Sequence, residues 1–177
     1  MATAKKAAKK TAAKKAPATA RAAMSDATLL LTRDHAEVKK LFKQYEKLAD
    51  AEAAGEERQS LAEQICMMLR IHATVEEEIF YPAARVAEVE SDLLDEAQVE
   101  HACAKELIAQ IQGMGPDDDL YDAKVTVLGE YIDHHVQEEE EEMFPKCRRS
   151  EMDLAELAEQ LSERKSELME QGEGQPA

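Results

Sequence analysis

The chain has 177 residues, enough for one ordinary domain, and only 4% are aromatic, with no Trp. That composition disfavours an aromatic-rich β-sandwich or barrel, and the abundance of Ala, Glu, Leu and Lys favours helices. A net charge of −16 argues against the whole chain as a nucleic-acid binder, no apolar run approaches the ~18–20 residues of a bilayer span, and three scattered cysteines (Cys66, Cys103, Cys147) read as reduced thiols of a cytosolic protein.

In chain order, the first feature is a tail. Residues 1–23 hold seven Lys or Arg and no acidic residue, so the other 15 basic residues face all 38 acidic ones. After Met1 the tail has no large apolar side chain, and residues 1–24 are expected to be disordered. Its AKKAAKKTAAKKAPA stretch is similar to the lysine-rich tails of linker histones and some bacterial nucleoid proteins. Two readings stay open: a solvated tail folded back on its own acidic domain, or a weak, sequence-blind nucleic-acid contact.

Helical spacing then takes over, with Ser25 and Asp26 as N-cap candidates. Leu31, Val38, Phe42, Tyr45 and Leu48 mark a first helix, ending by Gly55. A second carries Leu61, Ile65, Met68 and Ile79 and should stop before Pro82. A third follows Ser91 with Leu94, Ala97, Ala104, Ile108 and Ile111, up to Gly113. A fourth should start within Asp117–Asp119, carry Leu128, Tyr131, Ile132 and Met143, and stop before Pro145. Short links between four long helices predict an all-α, antiparallel up-down bundle over 25–147. A fifth, amphipathic helix over 148–171 (Leu154, Leu157, Leu161, Leu168) packs across it or serves a partner, and 172–177 should be disordered.

Each bundle helix places one histidine on its apolar stripe: His35, His72, His101 and His135. Glu76 follows His72 by four residues and Glu139 follows His135 by four, so each pair shares one helix face. Buried carboxylates and imidazoles need neutralising. Nitrogen and carboxylate ligands suit Fe, Mn or Zn better than Ca or Mg, and six are too many for one tetrahedral zinc. They suit two metals bridged by two carboxylates. A repeat supports this: HATVEEEIFYP at 72–82 matches HVQEEEEEMFP at 135–145, and His35 and His101 each follow an acidic residue, Asp34 and Glu100. Such a repeat supplies two equivalent half-sites.

This pattern, with its trailing E-E-E and Pro, resembles the hemerythrin-like HHE cation-binding domain over residues 26–147. The resemblance implies a four-helix bundle around a non-haem di-iron centre with an oxo or hydroxo bridge, able to bind O₂. By position, it implies His35 and His72 on one iron, His101 and His135 on the other, and Glu76 and Glu139 as bridges. Oxygen-carrying members have a further His one turn after the position of His101; here it is Lys105. They also place the second carboxylate where Glu140 stands, whereas the internal repeat selects Glu139.

His134 is expected beside the site rather than in it, Tyr45 and Tyr131 as aromatic core or site lining, and Cys103 as a core or flank thiol. The reading is a protein that binds or senses O₂ or a related small oxidant rather than an enzyme. The alternatives are a di-iron enzyme acting on peroxide or nitric oxide, and a nucleoid protein whose bundle is a metal-stabilised scaffold.

Overall fold

A computed structural model describes residues 26–173. The tail expected over 1–24 lies outside the described residues, as does the chain end from 174 onward. Four long helices form the bundle: α1 (Ala27–Asp50), α2 (Gly55–Val75), α4 (Ser91–Gln112) and α5 (Tyr121–Glu138). Short helices α3 (Tyr81–Val86) and α6 (Phe144–Cys147) extend α2 and α5, and α7 (Leu154–Glu173) closes the described chain. No strand occurs among the described residues.

Local chemistry sets the helix ends. Asp26 caps α1, its carboxylate accepting from the Thr28 N–H at 2.9 Å. The fourth helix starts at Tyr121, later than the acidic run suggested. The Asp118 carboxylate is taken by the Gly115 N–H at 2.8 Å, and Leu120 sits in the left-handed region (φ 72°) before the helix can begin.

The two prolines do not end their helices, contrary to expectation. Each is preceded by a π-turn, Glu76–Phe80 between α2 and α3 and Glu139–Met143 between α5 and α6. The Tyr81 N–H bonds to the Glu76 carbonyl and the Phe144 N–H to the Glu139 carbonyl, five residues back. The wider turn places Pro82 and Pro145 in the first turn of the next helix, where a missing N–H leaves nothing unpaired. It also turns two adjacent side chains inward: Phe80 and Tyr81 are both buried, as are Met143 and Phe144.

The core divides into two clusters. One gathers Leu31, Val75, Phe80, Leu94, Met143, Phe144 and, from α7, Leu157, Ala158 and Leu161. The other gathers Val38, Leu41, Tyr45, Ile65, Leu69, Ile108, Val125 and Leu128. The buried stripes run one residue off expectation in places: Leu41 and Leu69 are buried, while Phe42, Leu48, Leu61 and Met68 are only half-buried. A bundle helix touches two neighbours, so its buried arc is wider than a single stripe. Tyr131, expected on the stripe of α5, is 48% exposed. At Gly129 a Cβ would lie 3.2 Å from Phe42 Cδ1, so the glycine lets α5 approach α1 closely. α7 packs across α1 and α2.

Candidate metal centre

Between the two apolar clusters lies a polar layer. His35 sits on α1 between Leu31 of one cluster and Val38 of the other, the same step occurs on α2 and α4, and in the last bundle helix it falls between Ile132 of α5 and Met143 of the π-turn beyond it. His35, His72, Glu76, His101, His135 and Glu139 are all buried and converge there. The Nε2 atoms of His35 and His72 are 3.0 Å apart, and those of His101 and His135 are 3.1 Å apart. Glu76 Oε2 lies 3.2 Å from His72 Nε2 and 3.4 Å from His101 Nε2. Glu139 Oε2 lies 3.2 Å from His35 Nε2 and 3.5 Å from His135 Nε2. Each carboxylate therefore reaches one imidazole of each pair.

The outer nitrogens decide what the inner ones present. His35 Nδ1 faces Glu140 Oε1 at 2.9 Å, His72 Nδ1 faces Asp34 Oδ2 at 3.5 Å, His101 Nδ1 faces Glu77 Oε1 at 3.0 Å, and His135 Nδ1 faces Glu100 Oε2 at 2.8 Å. A carboxylate opposite each Nδ1 favours the proton on that nitrogen, leaving a lone pair on each Nε2. Four lone pairs then point at one small space. Glu76 Oε1 and Oε2 and Glu139 Oε2 are buried in it without a hydrogen-bond partner. Unpaired buried acceptors at this density are costly, and cations are what the donor set lacks. Four nitrogens and two carboxylates fit two ions of the Fe, Mn or Zn type, with atoms close enough for one ion in the set His35, His72, Glu76, Glu139 and in the set Glu76, His101, His135.

Without metal, protons must fill that role. Burial alone would lower His72 and His135; the charges of Glu76 and Glu139 outweigh it and hold them at about 10 and about 9. Burial dominates at His101, which is pushed down. Burial would raise Glu139, but the neighbouring His135 and His35 hold it well below the usual carboxylate range.

The outer residues were partly hidden from the sequence. Asp34 and Glu100 stood out only as acidic neighbours of His35 and His101; each instead serves a histidine of the next helix. Glu140, the alternative bridge, lies outside the layer on His35 Nδ1. Lys105 turns away from the layer and binds both oxygens of Glu77 at 2.6 Å. His134 is exposed, beside Glu100 and Glu138. Tyr45 is not at the site: its hydroxyl donates to Asp122 at 2.6 Å, where Arg58 also binds. Tyr45 belongs to the core, whereas Tyr131 is on the surface, and Cys103 is exposed.

Tyr81, which helical spacing does not mark, also enters the layer. Its buried hydroxyl donates to Glu139 Oε1 at 2.8 Å and lies 3.4 Å from His101 Nε2. Burial, and then the Glu139 charge, push its phenol well above its usual value, so it keeps its proton. The repeat carried the signal: Tyr81 pairs with Phe144, whose ring stacks on His35 with centroids 5.8 Å apart. One hydroxyl is what distinguishes the two halves at that position. A small cavity of about 40 Å³ touches only the His35/His72 pair, bounded also by Asp34, Val38, Leu69 and Lys165 and, from α5, by Ile132 and Val136.

The family model of the Hemerythrin HHE cation binding domain matches residues 26–147. The fold is similar to the crystal structure of a Hemerythrin HHE cation binding domain-containing protein from Mycobacterium kansasii, with a TM-score of 0.68 and 23% identity over 82% of this chain and 88% of that one. No curated protein matches the chain.

Proposed function

The chain belongs to the hemerythrin HHE cation-binding family, and from that premise we propose that it holds two iron ions and binds or senses O₂ or a related small oxidant. His35 and His72 hold one ion, His101 and His135 the other, and Glu76 and Glu139 bridge. Three unpartnered carboxylate oxygens facing four imidazole lone pairs carry this reading. The metal pair supplies electrons and Lewis acidity toward a small oxidant. The protein's own contribution is a buried layer capped on both sides by apolar clusters, histidines held by outer carboxylates, and a Tyr81 proton kept beside Glu139. The apolar cavity against His35 and His72 has about the volume of one water or one diatomic molecule, which fits such a ligand. With Lys105 where oxygen carriers have a histidine, an open coordination position is expected, favouring sensing over storage. Three free thiols accord with a reducing, cytosolic setting.

The test is a metal count and optical spectrum of aerobically purified protein. Two irons per chain with near-ultraviolet oxo-bridge absorption are expected; a metal-free or single-zinc protein sinks the reading. A second reading, peroxide reduction, is favoured by the Tyr81 hydroxyl, a hydrogen-bond donor inside the layer. Sustained hydrogen peroxide consumption by the iron-loaded chain supplied with an electron donor such as ascorbate, with the donor oxidised in step and the consumption lost in Tyr81→Phe, would select it.

A further inference from the structure

The family match ends at residue 147, but α7 lies beyond it and reaches the centre. Leu157, Ala158 and Leu161 anchor the helix in the same cluster as Leu31 and Phe80. Arg164 binds Glu78 at 2.7 Å, which aligns the helix along the first π-turn. One turn of contact then brings Lys165 Nζ to both oxygens of Asp34, at 2.6 and 2.5 Å. This is no loose surface pair: the side chains are 19% and 15% exposed. Asp34 Oδ2 in turn faces His72 Nδ1.

The repeat shows how this carboxylate differs from its counterpart in the other half. Where Asp34 serves His72, the other half has Glu100 on His135. Glutamate is one methylene longer and closes to 2.8 Å, while aspartate stands off at 3.5 Å. A shorter carboxylate at longer range is held less firmly by the imidazole alone. Lys165 binds both its oxygens and removes its freedom to swing toward water.

Given the di-metal reading above, we propose that Lys165 is a positioning residue: from α7 it fixes the Asp34 carboxylate against His72 Nδ1, making the terminal helix a working part of the His35/His72 half. A carboxylate held on the outer nitrogen orients a metal-bound imidazole and strengthens it as a ligand. Losing the lysine should therefore loosen metal through Asp34, and only through Asp34.

The experiment measures the rate at which a strong chelator strips iron from the full chain loaded with ferrous iron. Lys165→Met keeps the stem and the helix propensity and removes the ammonium. Release should be about tenfold faster than in the parent, the low end of what outer partners contribute to metal affinity. Asp34→Asn should speed release at least as much, and adding Lys165→Met to it should change nothing further. Lys165→Arg, which keeps the charge, should restore most of the parent rate, and Lys165→Gln, which removes the charge but keeps a polar stem, should release iron as fast as Lys165→Met and keeps the test decisive if the methionine variant does not fold. Unchanged release in Lys165→Met overturns the proposal. So does an equal added acceleration in the Asp34→Asn background, which would mean that α7 merely packs. A parent chain that takes up no iron overturns the di-metal reading as well; a loaded parent indifferent to Lys165 overturns this inference alone.

Discussion

At the scale of single residues, inward direction separates the six polar side chains of the layer from their neighbours. His134 and His135 are adjacent, but one is exposed and the other is 3.1 Å from His101. Replacing His72 or His135 with Ala should each cost the protein its metal to a similar extent, while His134→Ala keeps it. Elemental analysis of the three purified variants decides; metal lost from His134→Ala but kept in His135→Ala would mean a helix rotated by one residue. The thiols divide just as sharply. Burial pushes Cys66 up to about 11 and Cys147 up to about 12, and both are enclosed, whereas Cys103 is exposed. A thiol reagent at neutral pH should label one cysteine of the native protein quickly and the other two only on unfolding. Peptide mapping that finds Cys147 modified first would show the cluster around it to be open.

At the scale of elements, the π-turns deserve the weight that sequence patterns gave to prolines. Each adds one residue to a turn, so that a glutamate, then two consecutive side chains, all face inward. Deleting Glu78, an exposed residue of the first π-turn, should restore ordinary α-helical spacing and rotate everything after it by about 100°. Tyr81 would leave Glu139, and Pro82 would fall inside a regular helix, at a cost of about 3 kcal/mol. The expected variant keeps most of its helical circular dichroism, melts lower and binds less metal. Full metal content after the deletion would show that the extra residue has no part in shaping the layer.

At the scale of the whole molecule, the centre is a polar layer between two apolar clusters, and its stability depends on what neutralises it. Metal bound by the folded chain and not by the unfolded one stabilises by mass action, so a chelator should lower the melting temperature. The metal-free form should also respond to pH. His72 and His135 are raised in the fold from an ordinary 6.5 to about 10 and about 9. Raised imidazoles contribute stability that is complete below about 6.5 and is lost as pH rises through the folded values. The chelated protein should therefore melt progressively lower between pH 7 and pH 10, and the metal-loaded protein, whose imidazoles carry no extra proton, much less so. Parallel melting curves for the two forms across that range would refute this account of the layer. The lysine tail adds a separate test at this scale. If its seven charges contact nucleic acid, a mobility shift seen at low salt should vanish on removing residues 1–23 and on adding salt.

The helical class, the bundle and the six polar positions were legible in the sequence because a 3.6-residue period places i and i+4 side chains on one face wherever the helix lies. The 63-residue repeat of His72, Glu76 and Pro82 in His135, Glu139 and Pro145 doubled that signal. What sequence spacing could not hold was anything set by a second element. Asp34 reaches His72, Glu100 reaches His135, and Glu77 reaches His101 only because helices pack side by side. Tyr81 faces Glu139 only because a π-turn shifts its register, and no propensity marks a π-turn. Lys165 meets Asp34 across 131 residues of chain. Local periodicity determined which side chains turn inward; tertiary packing alone decided which of them meet, because a contact between distant segments has no period in the sequence.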